Sequence, residues 1–215
     1  MAVTGGDFVR TAEWRRVREF IAGIPARAEP AVLVVEGEAG AGKSTLWRAG
    51  ITAAADAGCR VLRSEPSASD ADLSFAGLSD LLAAELPVVA ADVPDLQREA
   101  LEIALLLRSA GDEPPTAHAV GLAVLAALRS CVQAGPVLMA IDDAQWLDAE
   151  SLAALAFALR RVTAGPLSVL LAARAEAPAD PLTVGAPPPP RGWRDLLAAL
   201  PAAEDVGEQK PRPVD

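Results

Sequence analysis

The stretch Ala31-Val32-Leu33-Val34-Val35-Glu36-Gly37-Glu38-Ala39-Gly40-Ala41-Gly42-Lys43-Ser44-Thr45 decides the fold. Its first five residues are a continuous apolar run, as in a parallel strand buried on both faces. From Lys43 to about Ala57 the pattern is helical, and Gly58 stands where a helix-ending glycine is expected. The junction between strand and helix has the spacing of a phosphate-binding loop: Gly37, four residues, then Gly42-Lys43-Ser44. Each residue type has a reason. Gly37, Gly40 and Gly42 lack a Cβ, so the backbone can turn sharply and bring its N–H groups, those of Glu38, Ala39 and Ala41 included, against phosphate oxygens. The helix opening near Lys43 adds its positive end. Lys43 is placed to neutralise β- and γ-phosphates, and the Ser44 hydroxyl to ligate a bridging Mg²⁺. Thr45 is expected to support the loop from behind.

Further along, the apolar run Val137–Ile141 ends in Asp142-Asp143 and continues Ala144-Gln145-Trp146-Leu147-Asp148. A buried strand ends at the carboxyl edge of its sheet, where ligands bind in open α/β folds, so Asp142 is expected beside the loop as a Mg²⁺ ligand. Asp143, one residue further out, either orients or deprotonates the attacking water or belongs to a solvated turn. A third apolar strand, Leu167 to Ala172, leads to Arg174 at the same edge. If it lies between the other two strands, Arg174 can read a γ-phosphate or steady the water, and a plain surface arginine is the alternative. Gln145 is in the same position, a polar sensor or an ordinary surface residue.

The remaining pattern fills in an α/β fold. Helices are expected over 11–22, 73–85, 95–107, from an N-cap at Thr116 to Gly135, and from an N-cap at Asp148 to Gly165. In the third of these, Leu96, Ala100, Ile103, Ala104 and Leu107 form the expected apolar face. A further strand is expected at 59–64. Strands alternating with helices specify a parallel sheet with right-handed crossovers. The expected organisation is an N-terminal helix and connection over 1–30, a nucleotide-binding core over 31–185, and a proline-rich linker with a disordered tail over 186–215. In that tail Pro187–Pro190 reads as a stiff spacer and 194–200 as one short helix. His118 has no partner at a metal-ligand spacing, Cys59 and Cys131 read as small buried hydrophobes, and Trp146 as a packing residue.

Composition narrows the function. Nineteen Lys and Arg against 29 Asp and Glu give a net charge of −10, the wrong sign for holding a nucleic-acid backbone. With 215 residues, 52% of them hydrophobic, the chain can build a large core without disulfide or metal. No signal-peptide pattern is visible, and no apolar run is read as approaching the roughly 18 residues of a membrane span, so a cytoplasmic location is expected.

With GEAGAGKST, VLMAIDDAQWLDAESLAALAFALRRV and LLAAR in this order, the chain resembles the STAND-type P-loop ATPases, in particular the N-terminal ATPase module of large LuxR-type ATP-binding transcriptional regulators. LWRAG, LSFAGLSDLLA and LEIALLL also resemble that group. The resemblance covers roughly residues 8–185. It implies a P-loop NTPase of the ASCE branch, with an extra strand between the two motif strands. It also implies an ATP/ADP switch with slow hydrolysis that opens or self-associates in the triphosphate form. Residue by residue, Gly37 to Thr45 match the Walker A loop, Asp142 and Asp143 the Walker B carboxylates, and Arg174 the sensor. Phe8-Val9-Arg10 resembles the Phe-Val-Gly-Arg stretch that frames adenine, without its glycine. The family continues into a lid, a winged helix, repeats and a DNA-binding helix-turn-helix. Residues 186–215 are expected to lack the fifth strand and the lid, as in a truncated member. A P-loop kinase and a non-catalytic interaction module are the competing readings.

Overall fold

The computed structural model describes residues 11–109, 115–174, 192, 194–198 and 203–206. Phe8-Val9-Arg10, the Pro187–Pro190 spacer and the last nine residues lie outside the described residues. Five parallel strands form one sheet in the order β2-β3-β4-β1-β5: β1 Ala31–Gly37, β2 Arg60–Ser64, β3 Val137–Ile141, β4 Leu167–Arg174 and β5 Ala203–Val206. The strand carrying Arg174 therefore lies between the strand that feeds the glycine loop and the strand that ends at Asp142, as the ASCE reading requires.

Apolar residues on successive positions of one strand point to opposite faces, and both faces are covered. On one side, Leu33, Val35, Leu138, Ala140, Leu170 and Ala172 pack against helices α1 (Thr11–Ala22) and α2 (Lys43–Asp56) through Val17, Ile21 and Trp47. On the other, Val32, Val34, Val137, Met139, Val169 and Leu171 meet a layer built from α3 (Ala76–Leu82), α4 (Leu86–Val89), α5 (Asp95–Ala104), α6 (Ala117–Ala134) and α7 (Ala149–Leu159). Thr116 and Asp148 cap α6 and α7 as expected, accepting from Ala119 N–H and Ser151 N–H.

Several expectations are corrected. The helix read over 73–85 is shorter, Ala76–Leu82, because α3 starts only after Phe75, in the left-handed region (φ 62°); the separate helix α4 follows beyond the expected range, with Pro87 in its first turn, where proline is tolerated. The 95–107 helix ends at Ala104, and Leu106 takes a left-handed φ of 57°. Its buried row is Ala100, Leu101 and Ala104, followed by Leu105, while Leu96 and Leu107 are exposed. The packing of α5 on α6, rather than the apolar count of the segment, selects that row. A fifth strand, not expected after residue 186, is present: β5 pairs with β1 from Val32↔Ala203 to Val35↔Val206. The short helix expected at 194–200 is α8, Arg194–Leu197, whose Leu196 is fully buried in the α3–α7 layer. Finally, α6 has the length and the mean hydropathy, 1.4, of a membrane span. Half of it is buried inside the fold, between α5 and α7.

Cys59 and Cys131 are free thiols, both buried. Burial pushes the Cys131 thiol up, and the carboxylate of Glu85 adds to the shift while the Arg60 guanidinium opposes it. The thiol is thus held neutral in the native protein when the unfolded chain would ionise near its usual pKa of about 8.5. Its contribution to stability is complete below that pH and is lost as pH rises beyond it. Urea midpoints of the wild type and Cys131→Ala, measured from pH 7 to 10, should therefore converge on the alkaline side. A constant gap across that range would contradict the assignment.

Candidate functional site

The loop between β1 and α2 follows from its glycines. Gly40 (φ 77°) and Gly42 (φ 88°) occupy the left-handed region, where a Cβ costs about 1 kcal/mol or more. The loop closes with Ala41 N–H donating to the Glu38 carbonyl at 3.2 Å, and Thr45 and Leu46 N–H donating to Gly42 O. The N–H groups of Gly42, Lys43 and Ser44 find no backbone acceptor among the described residues. These are the unsatisfied donors of a helix start, and no side chain caps them.

Lys43 is the unusual member. It is only 7% exposed, and its Nζ donates to the Glu38 carbonyl at 3.0 Å, its single partner among the described residues. A buried ammonium normally faces a carboxylate. Here no carboxylate among the described residues pairs with it, and the helix start it belongs to carries unpaired N–H donors. Gly37, Ala41 and Ser44 are buried or half-buried beside it, and Glu38, Ala39, Gly40 and Gly42 are exposed. Thr45 is exposed too, so it does not brace the loop from behind. Position three of the helix simply faces outward from the α2 side that holds Leu46 and Trp47.

The strand register brings the other residues to this edge. Gly37 is the partner of Arg174 across β1 and β4, and Ile141, which precedes Asp142, is the partner of Leu171 across β3 and β4. Asp142 is 4% exposed, with its N–H on Ser64 O at 3.0 Å and its Oδ1 accepting the Asp143 N–H at 2.9 Å. Its second oxygen takes no hydrogen bond among the described residues. Asp143 adopts φ 44°, ψ 45°, a left-handed conformation that aspartate tolerates, and starts a 3-10 turn over Ala144–Trp146. That turn swings Gln145 back: its Nε2 donates to Asp143 Oδ1 at 2.8 Å, and its Oε1 accepts the Arg174 N–H at 3.1 Å. The Arg174 side chain is exposed.

No group of three or more His, Cys, Asp or Glu residues suited to a metal occurs among the described residues. A buried carboxylate, Asp142, with one oxygen unbonded among the described residues, on the sheet edge where the loop and its helix-start serine begin, fits Mg²⁺, which is typically held by one or two protein oxygens together with phosphates and water. His118 is exposed and set edge-on to Phe157, away from any such role.

Two features were not legible in the sequence. Ser64, at the end of β2, donates to Asp80 of α3 at 2.9 Å, beside a cavity of about 340 Å³ lined by Arg63, Ser64, Glu65 and Asp80. Glu36, just before the loop, is paired with Arg194 of α8 at 2.8 Å. The first pair is separated by 16 positions and the second by 158, and no local spacing signals either.

The family model described as the AAA ATPase domain matches residues 8–171. The match spans the glycine loop and both aspartates and stops three residues before Arg174. No curated protein matches the chain.

Proposed function

The chain belongs to the AAA ATPase domain family, and from that premise we propose that it is a Mg²⁺-dependent, ATP-binding switch module of a signalling or transcriptional regulator, with at most slow hydrolysis. The observation that carries the nucleotide reading is Lys43: a buried ammonium with no counter-charge among the described residues, at a helix start rich in unsatisfied N–H donors, calls for a polyanion. In this reading Gly37–Thr45 hold the phosphates, with Lys43 on the β- and γ-groups. Ser44 and Asp142 hold the Mg²⁺, which when bound draws charge from the phosphate oxygens. Asp143 positions the attacking water, and Arg174 faces the outermost phosphate from the neighbouring strand end. The regulator role is supported by the likeness of GEAGAGKST, DDAQWLD and LLAAR to the STAND ATPases. The net charge of −10 favours further domains or a second copy of the chain, rather than nucleic acid, as the partner of this part. Two unpaired buried cysteines suit a reducing, cytoplasmic setting.

The Asp143→Asn variant tests the hydrolytic part. Asparagine keeps Oδ1 for the Gln145 amide, so the turn should survive. We expect phosphate release to fall at least tenfold while Mg·ATP affinity stays within twofold of wild type. Phosphate release that persists in the variant removes Asp143 from the reaction. Transfer of label from γ-³²P-ATP to a small acceptor would favour a kinase instead.

A further inference from the structure

Gln145 joins the two strand ends that border the place of a γ-phosphate. Its amide spans Asp143 Oδ1 and the Arg174 N–H, and Arg174 is in register with Gly37, where the glycine loop begins. Because β4 lies between β3 and β1, this half-buried carboxamide crosses the carboxyl end of the central strand. A nucleotide seated on the loop points its outermost phosphate toward that edge.

We propose that Gln145 is the residue that distinguishes a nucleoside triphosphate from a diphosphate, an inference that rests on the nucleotide site proposed above. One N–H of its Nε2 is spent on Asp143, and the second has no partner among the described residues, so it is free for a γ-phosphate oxygen. The same carboxamide holds the last N–H of β4, so a γ-phosphate that draws on one end of the group changes the hold on the other. Only a carboxamide has this combination. Glutamate of equal length accepts from Arg174 but cannot donate, and methionine of similar length does neither.

The test is calorimetric titration of the 215-residue chain with Mg·ATP and with Mg·ADP for wild type, Gln145→Met and Gln145→Glu, with amide hydrogen exchange followed at Arg174. The wild type should prefer ATP. Both variants should bind ADP within twofold of wild type and lose about tenfold in the ATP-to-ADP affinity ratio, the size of a hydrogen bond to a charged group. Exchange at Arg174 should quicken in Gln145→Met and remain slow in Gln145→Glu, which separates the sensing role from simple loss of packing. An affinity ratio equal in all three proteins, including a wild type without preference, overturns the inference while leaving the nucleotide site standing. A folded wild type that binds neither nucleotide overturns the site itself, and the inference with it.

Discussion

Replacing Lys43 with alanine should weaken Mg·ATP binding about 10- to 150-fold, without destabilising the protein in the absence of nucleotide. The affinity loss is that of one charge-assisted hydrogen bond, about 1.5–3 kcal/mol. The second half of the expectation is the more informative. Lys43 is buried against a single carbonyl, with no carboxylate among the described residues to offset its desolvation. Such a group costs the apoprotein free energy, and removing it should leave thermal stability equal or higher. A lysine kept for the fold would behave in the opposite way, lowering stability and leaving affinity alone. Calorimetric titration and thermal unfolding of the same two proteins give both numbers. AMP, which lacks β- and γ-phosphates, should bind wild type and variant alike. Equal ATP affinity in the variant would remove the loop from any phosphate-binding role.

What the sequence made legible was whatever depends on neighbours in the chain. The apolar runs ending at Val35, Ile141 and Ala172, the helix caps at Thr116 and Asp148, and the glycines at 40 and 42 are local signals, and each lies in the corresponding strand, helix or turn. The edge shared by Gly37, Asp142 and Arg174 could be anticipated too, because parallel strands place their carboxyl ends on one side. Illegible features were set by partners distant in sequence. Ala203–Val206 is short and polar at two of its four positions, so nothing in its pattern marks it as a strand, and the free edge of β1 makes it one. The buried row of α5 follows from its contact with α6, which periodicity alone could not choose between Leu96 and Leu101. Thr45, expected behind the loop, is exposed instead, because one further position along a helix turns a side chain by about 100°.

Asp148 illustrates how a local signal can understate a residue, and it yields the largest expected effect on stability. As a helix cap its loss costs about 1 kcal/mol. The structure assigns it more. Asp148 is 1% exposed, and its Oδ1 accepts from both Ser151 N–H at 2.8 Å and Phe75 N–H at 2.8 Å, while its Oδ2 accepts from Gly77 N–H at 3.0 Å. The adjacent Ser151 hydroxyl accepts from Leu78 N–H at 2.8 Å. The start of α3, with its left-handed Phe75 and no side-chain cap of its own, is therefore held by the first turn of α7. Gly77 allows the approach, since a Cβ there would meet Leu147 Cδ1 at 2.2 Å. Asp148→Ala strands the N–H groups of Phe75 and Gly77 at the start of α3 as well as uncapping α7. At about 1–3 kcal/mol for each unsatisfied buried group and about 1 kcal/mol for the cap, the total should reach about 3–7 kcal/mol, a large share of the stability of an ordinary domain. Asp148→Asn should fall between wild type and alanine. It keeps Oδ1 with its two bonds but turns an NH₂ toward the Gly77 N–H, donor against donor. Urea unfolding orders the three proteins. A cost under 1 kcal/mol for alanine would mean that α3 does not depend on the clamp, and a lower m-value would indicate that α3 had already come away in the folded variant.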